Sequence, residues 1–328
     1  MKLTNFFAKM RKVTCLIALL GSMTAHGAEH LGSLKMGIEP WLGYGLWYVA
    51  AHDGLFKKQG FKNVDIINFT EDKDINAALA SGQIDVANIA THTAMGMIAA
   101  GLPVKAVLLL DQSNTADAIL ASAKIKSLKD IKGKKVAYEQ GTTSDILLHS
   151  ALSSVHLSEA DIIPVPMPAA NAGSALIAGN VPVAVTYEPY ISVAEKNDPN
   201  LKMLYSGASD PGLISDVLVV RQSVINKHPK QVAALIEVWK KALANYRQHT
   251  QLDRNIIATA IGATPDDLKT AFDGIKYIDI KTNKQMLEGA FRTQTFPHIL
   301  KAAKSASLVP TNVKFTQVFD DSFVKKAK

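Results

Sequence analysis

From Leu34 onward, short apolar runs alternate with amphipathic helical patterns, and the alternation restarts once, near residue 128. In the first round the runs read as strands over 34–38, 64–69, 86–89, 104–110 and 118–122, with helices over 45–59, 72–81 and 93–100 between them. In the second, strands read over 135–138, 162–166, 183–187 and 214–221, with a helix from Thr143 and another over 170–178. Beyond His228 the chain is mainly helical, over 230–250, 253–261 and 265–272. Strand–helix alternation implies parallel sheets with covering helices. The length suits two lobes of domain size. The extended segments over 118–122 and 214–220 read as the crossings between them. The expected division is therefore 28–122 plus 215–328 for one lobe and 123–214 for the other.

The N-terminus predicts export. Lys2, Lys9, Arg11 and Lys12 come before any acid, an apolar run covers 13–20, and Ala25-His26-Gly27 places small residues ahead of Ala28. That is the layout of a secretory signal peptide over 1–27, cleaved near Gly27/Ala28, with a periplasmic product. The run is far shorter than the ~20 residues a bilayer span needs. Cys15 opens the run instead of closing it, which argues against a lipid anchor. Processing removes the chain's only Cys, and with it any disulfide, Cys-ligated metal or Cys nucleophile. It also removes four of the positive charges, so the formal +7 falls to about +3. No cluster of Lys/Arg with interleaved aromatics suggests nucleic-acid binding.

Neither a nucleophile elbow, a phosphate loop, a zinc-protease motif nor a dinucleotide fingerprint is present, and the histidines are scattered singly. We therefore expect no catalytic set, no metal and no cofactor. Candidate ligand-binding residues sit where strands end, since loops beyond the carboxyl ends of strands face the crevice of an open sheet. Trp41 and Tyr44 lie in a Pro/Gly-rich loop after the first strand and offer flat apolar faces with one polar handle each. Thr91 and His92 follow the third strand; Thr91 reads equally as a helix cap. Asp111 ends the next strand. Glu139, Thr142 and Thr143 join a strand to a helix whose start suits an anion, or simply caps itself, while Glu139 would repel an anion. Tyr187, with Glu188 and Tyr190, forms a plausible cation cage. Asp216, on the return strand, can face the same cleft. These loops supply Glu39, Asp111, Glu139, Glu188 and Asp216 but no Lys or Arg. An oxyanion site normally holds a matching cation or many aimed N–H groups. The inventory favours a neutral or cationic ligand rich in N–H donors.

Trp41 through Tyr48, Gly54-Leu55-Phe56 through Gly60, Ser81-Gly82-Gln83-Ile84-Asp85-Val86-Ala87, Lys126-Ser127-Leu128 through Ala137 into Gly141-Thr142-Thr143-Ser144, and the stretch from Ala175 to Pro189 form a recognisable series. In these segments the chain resembles the substrate-binding proteins of the nitrate/sulfonate/taurine class of ABC importers, which share their fold with pyrimidine-precursor binding proteins of thiamine metabolism. The resemblance implies an α/β, type II periplasmic-binding-protein fold. Each lobe would be a sheet flanked by helices, joined by two crossing strands, with the ligand buried by hinge closure. It implies a permease and an ATPase as partners and a monomeric receptor, not an enzyme. It places contacts at Trp41, Tyr44, Thr91, His92, Thr142, Thr143 and Glu188. The expected solute is a small nitrogen compound of the amine, guanidine, urea or aminopyrimidine type. The alternative is taurine or another aliphatic sulfonate, held by Thr142 and Thr143 with Glu188 on the ammonium. A synthase of the pyrimidine precursor, the reading from a different class, would need a Cys-rich iron-binding motif that the processed chain lacks.

Overall fold

The computed structural model describes residues 30–268 and 271–327; the expected signal segment, with Cys15 and the cleavage point, lies outside the described residues. Among the described residues, eleven strands form two sheets. Strands β1 (Ser33–Ile38), β2 (Asn63–Asn68), β3 (Val86–Ala90), β4 (Val104–Ser113), β10 (Ser215–Arg221) and β11 (Ile275–Tyr277) make the first, in the order β11-β4-β10-β3-β1-β2. Strands β5 (Asp117–Ala121), β6 (Lys135–Tyr138), β7 (Ile163–Pro166), β8 (Val183–Tyr187) and β9 (Lys202–Ser206) make the second, in the order β7-β6-β8-β5-β9.

The restart seen in the sequence is a repeated motif. In the first sheet β1 lies between β2 and β3 and runs parallel to both. In the second, β6 lies between β7 and β8 in the same way. Parallel neighbours need a crossover; here Asp72–Ser81 supplies it before β3, and Thr143–Ser154 and Ala169–Ile177 supply it in the second sheet.

The sheets are not wholly parallel, which corrects the expectation. β10 is antiparallel to both β3 and β4, and β5 is antiparallel to both β8 and β9. Each is the strand by which the chain enters a sheet directly from the other lobe. It arrives at the end where its neighbours finish, with no helix to carry it back, so it runs against them. The segments read as crossings are thus interior strands. The connections proper are the short stretches 114–116 and 207–214, and β5 belongs to the second sheet and not to the first lobe.

Three local expectations also change. The helix over 45–59 breaks at Gly54, whose φ of +65° starts a new turn, giving Leu46–His52 and Leu55–Lys58. In place of the helix over 265–272, the described residues show turns over 265–268 and a 3-10 segment at Ala271–Gly274. β9 and β11 were not anticipated; both are edge strands, and β11 spans only three residues.

The core of the first lobe is pinned by two tryptophans. The rings of Trp47 and Trp239 pack 5.1 Å apart. Trp47 Nε1 donates to Asn88 Oδ1 (2.7 Å), and Asn88 Nδ2 donates to the Gly37 carbonyl (2.9 Å), tying a helix to β3 and β1. Such a buried polar chain is favourable because every member is paired. Gly37 lets the helix Asp72–Ser81 approach β1, since a Cβ there would lie 2.5 Å from Ile84 and 2.9 Å from Ile75. That close packing brings the start of the helix, and Asp72, to the end of β1. Among the described residues no helix is long and apolar enough to cross a membrane.

Candidate functional site

The two sheets face each other across a cleft of about 490 Å³, counted with its open mouth. From the first lobe come Glu39, Trp41 and Tyr44 after β1, Thr70 and Asp72 after β2, and Asp216 at the start of β10. The second lobe contributes Asp117 at the start of β5, Thr142, Thr143 and Ser144 with Glu139 after β6, and Tyr187 at the end of β8. Trp41 and Tyr187 meet edge-to-face across the cleft, with ring centroids 6.0 Å apart. Tyr187 in turn stands edge-on to Tyr190 at 5.2 Å.

Among the described residues, five carboxylates line this space, and no Lys or Arg does. Burial pushes Glu39 well above the usual carboxylate range, and the neighbouring Asp72, to which it is hydrogen-bonded, pushes it further. Two carboxyl groups bond directly only by sharing a proton. Asp216 is pushed well up by burial, then by Asp111 and Asp117, against a hydrogen bond from Tyr44. Burial raises Asp117 to about 7, and its Oδ2 has no hydrogen-bond partner. Glu139 also rises to about 7 through burial, although its Oε2 accepts from the Ala169 backbone at 2.9 Å. Burial thus favours the protonated, neutral form of these cleft acids, and Glu39 and Asp72 share a proton.

Of the residues expected from the sequence, Trp41, Tyr44, Glu139, Thr142, Thr143, Tyr187 and Asp216 line the cleft. Asp111 stands one layer behind, fully buried, accepting from Trp41 Nε1 at 3.3 Å. It orients the indole, and burial lifts its pKa to about 8. Gly43 leaves room for this contact: a Cβ there would lie 2.2 Å from Trp41 Nε1 and 2.4 Å from the Asp111 carboxyl. Gly43→Ala is expected to displace the indole, destabilise the protein by about 1–3 kcal/mol and weaken ligand binding. Tryptophan fluorescence with a denaturant melt checks this; an unaltered spectrum and midpoint would contradict it.

The remaining expected residues do not line the cleft. Thr91 donates to the Ser215 carbonyl (2.6 Å), joining β10 to the helix Thr91–Ala99, and it does not cap that helix. His92 does reach across the cleft, but to the Thr142 backbone; burial lowers its pKa to about 4, so it is neutral. Glu188 follows Tyr187 directly, and successive side chains along a strand point to opposite faces. Its carboxylate therefore turns away and accepts from Ser192 N and Oγ, each at 3.0 Å, at the start of the helix Tyr190–Asn197. The Tyr–Glu–Tyr cage is thus an aromatic pair without its acid.

The sequence reading missed Asp72, Thr70, Asp117 and Ser144 as lining residues, and counted Glu39 only as a nearby acid. Thr70 and Asp72 follow β2, so the strand-end rule applied to that strand would have found them. Asp117 was hidden for another reason: it begins an antiparallel strand, whose amino end and not its carboxyl end faces the cleft.

A model of the NMT1/THI5-like family matches residues 44–251. A putative aliphatic sulfonates-binding protein of Bacillus subtilis is 25% identical over 96% of this chain and 95% of its own length. The taurine-binding periplasmic protein of Escherichia coli is 24% identical over 74% of this chain and 77% of its own. The crystal structure of the periplasmic aliphatic sulphonate binding protein SsuA from Escherichia coli superposes with a TM-score of 0.72 at 21% identity, covering 90% of this chain and 99% of that one.

Proposed function

Because this chain belongs to the NMT1/THI5-like family and is a substrate-binding protein of the nitrate/sulfonate/taurine class of ABC importers, and not an enzyme, we propose that its solute is a small nitrogen-rich cation of the amine or guanidine type. The protein would act in the periplasm, deliver the solute to a membrane permease driven by an ATPase, and trap it by closing the lobes. The observation that carries this reading is the set of five cleft carboxylates with no Lys or Arg among the lining residues. Buried charges are tolerated when paired, and a cation with several N–H donors pairs with carboxylates from both lobes at once. The differential contact drives closure. Trp41, Tyr44 and Tyr187 add ring faces to which a cation is attracted.

A sulfonate is the second reading, favoured by the named relatives and by Thr142, Thr143 and Ser144 at a helix start. Two backbone donors of that start are already taken: Ser144 N by Thr142 Oγ1 (3.3 Å) and Gly141 N by Asp145 Oδ2 (2.8 Å). An anion would also face the five acids. Thermal-shift measurements separate the two. Methylguanidine and butylamine should raise the melting temperature, and ethanesulfonate should leave it unchanged. Stabilisation by sulfonates alone would overturn the proposal.

A further inference from the structure

Beside the cleft, where the two lobes touch, lies one buried histidine. His92 belongs to the first turn of the helix Thr91–Ala99 in the first lobe and is only 2% exposed. One ring nitrogen turns to the Thr142 backbone of the second lobe, close to Asp145. The other, Nε2, is buried and has no hydrogen-bond partner among the described residues. Thr142 and Asp145 are buried as well. Both sit at the start of the helix Thr143–Ser154, whose first residues line the cleft with Thr142. The turn that covers His92 is therefore the turn that closes the cleft, and parting the lobes there uncovers the imidazole.

We propose that His92 is a proton-operated release between the lobes: its neutral ring permits the closed arrangement, and a proton on Nε2 favours the open one. In the closed arrangement that proton adds a buried charge and a donor with no acceptor; in the open one water solvates both. Asp145 is the opposing charge, but it is already engaged. Its Oδ2 accepts from Gly141 N at 2.8 Å, and His149 Nε2 lies 3.3 Å from its Oδ1. The first lobe brings Asp216 and Asp111 at the near ends of β10 and β4, and His298 and Lys301 on the helix Phe296–Ser305. Burial outweighs Asp145 and holds His92 at about 4, against roughly 6.5 for an exposed imidazole. His92 thus favours closure fully above about pH 6.5 and opposes it progressively below. From this residue alone the open-to-closed ratio should rise about tenfold between pH 7.5 and 5.5. The cleft acids act in the other sense, since gaining protons favours their burial. The device works for a cationic and an anionic solute alike.

Small-angle X-ray scattering of the purified protein, dialysed free of small molecules, reads the fraction of open molecules across pH. The wild type should expand between pH 7.5 and 5.5. His92→Asn, which keeps a donor for the Thr142 backbone but takes up no proton, should not expand, nor should His92→Gln. Equal expansion in the wild type and a folded variant, or no expansion of the wild type, would overturn the release while leaving the reading of the solute untouched. Should neither variant fold, the wild type decides. Its expansion should have a midpoint between about pH 4 and 6.5, and a midpoint outside that range would overturn the proposal.

Discussion

An Asp216→Asn protein is expected to be more stable than the wild type without ligand at pH 8, yet to bind a cationic solute far more weakly. Asp216 is buried at the start of β10, and its carboxylate is disfavoured first by loss of water and then by Asp111 and Asp117. The amide keeps the shape and can keep the hydrogen bond from Tyr44, but removes the charge. An amide needs neither a buried charge nor an extra proton at pH 8, so it relieves the folded state of that cost. Removing one partner of a buried charge pair costs about 2–5 kcal/mol of binding, on the order of thirty- to several-thousandfold in Kd. Opposite signs for the two effects mark a group kept for a ligand. Denaturant melts and calorimetric titration read both. A variant that is less stable and binds normally would assign Asp216 to the fold instead.

The second large effect is on pH. Asp117, Glu139 and Glu188 are raised by burial to about 7, and Asp111 to about 8. The folded state therefore holds these protons more tightly than the unfolded state. The stability they contribute is fully present below about pH 4, is lost progressively above it as the unfolded carboxyls ionise, and is gone once pH has passed about 8. His92, lowered to about 4, acts in the opposite sense: it costs stability as pH falls below about 6.5. The decline should thus be steepest between about pH 5 and 7, where the unfolded carboxyls are ionised and the folded ones are not, and should level off above about pH 8. A bound cation replaces the protons, so its stabilising shift should grow over the same window, with protons released on binding at lower pH. Melting temperatures across pH, with and without methylguanidine, and binding heats in two buffers of different ionisation enthalpy measure this. A sulfonate ligand would produce the reverse, since each ionised carboxylate would oppose it.

The repeat of strand, helix and strand was legible because it depends on apolar spacing alone, and the aromatic loop at Trp41 and Tyr44 followed from its place after β1. The antiparallel strands were harder to read. Nothing in the apolar run of β5 or β10 states its direction, which comes from how the chain changes lobes. For that reason Asp117 was overlooked. Edge strands such as β9 bury only part of their length and carry a weak pattern. Glu188 illustrates a different limit: the sequence placed it beside Tyr187, but strand alternation sends neighbouring side chains to opposite faces, and Ser192 supplied an alternative partner. The acidity of the cleft was visible in the loop inventory. Its proton-sharing pair, Glu39 with Asp72, needed the packing of the helix Asp72–Ser81 against Gly37 to become apparent.

Native mass spectrometry of the protein, purified without refolding and then denatured to release what it carries, tests the central claim most directly. The acidic cleft predicts a small amine- or guanidine-bearing cation in the released fraction. Recovery of taurine or an alkanesulfonate, bound in equal amount to the protein, would contradict it.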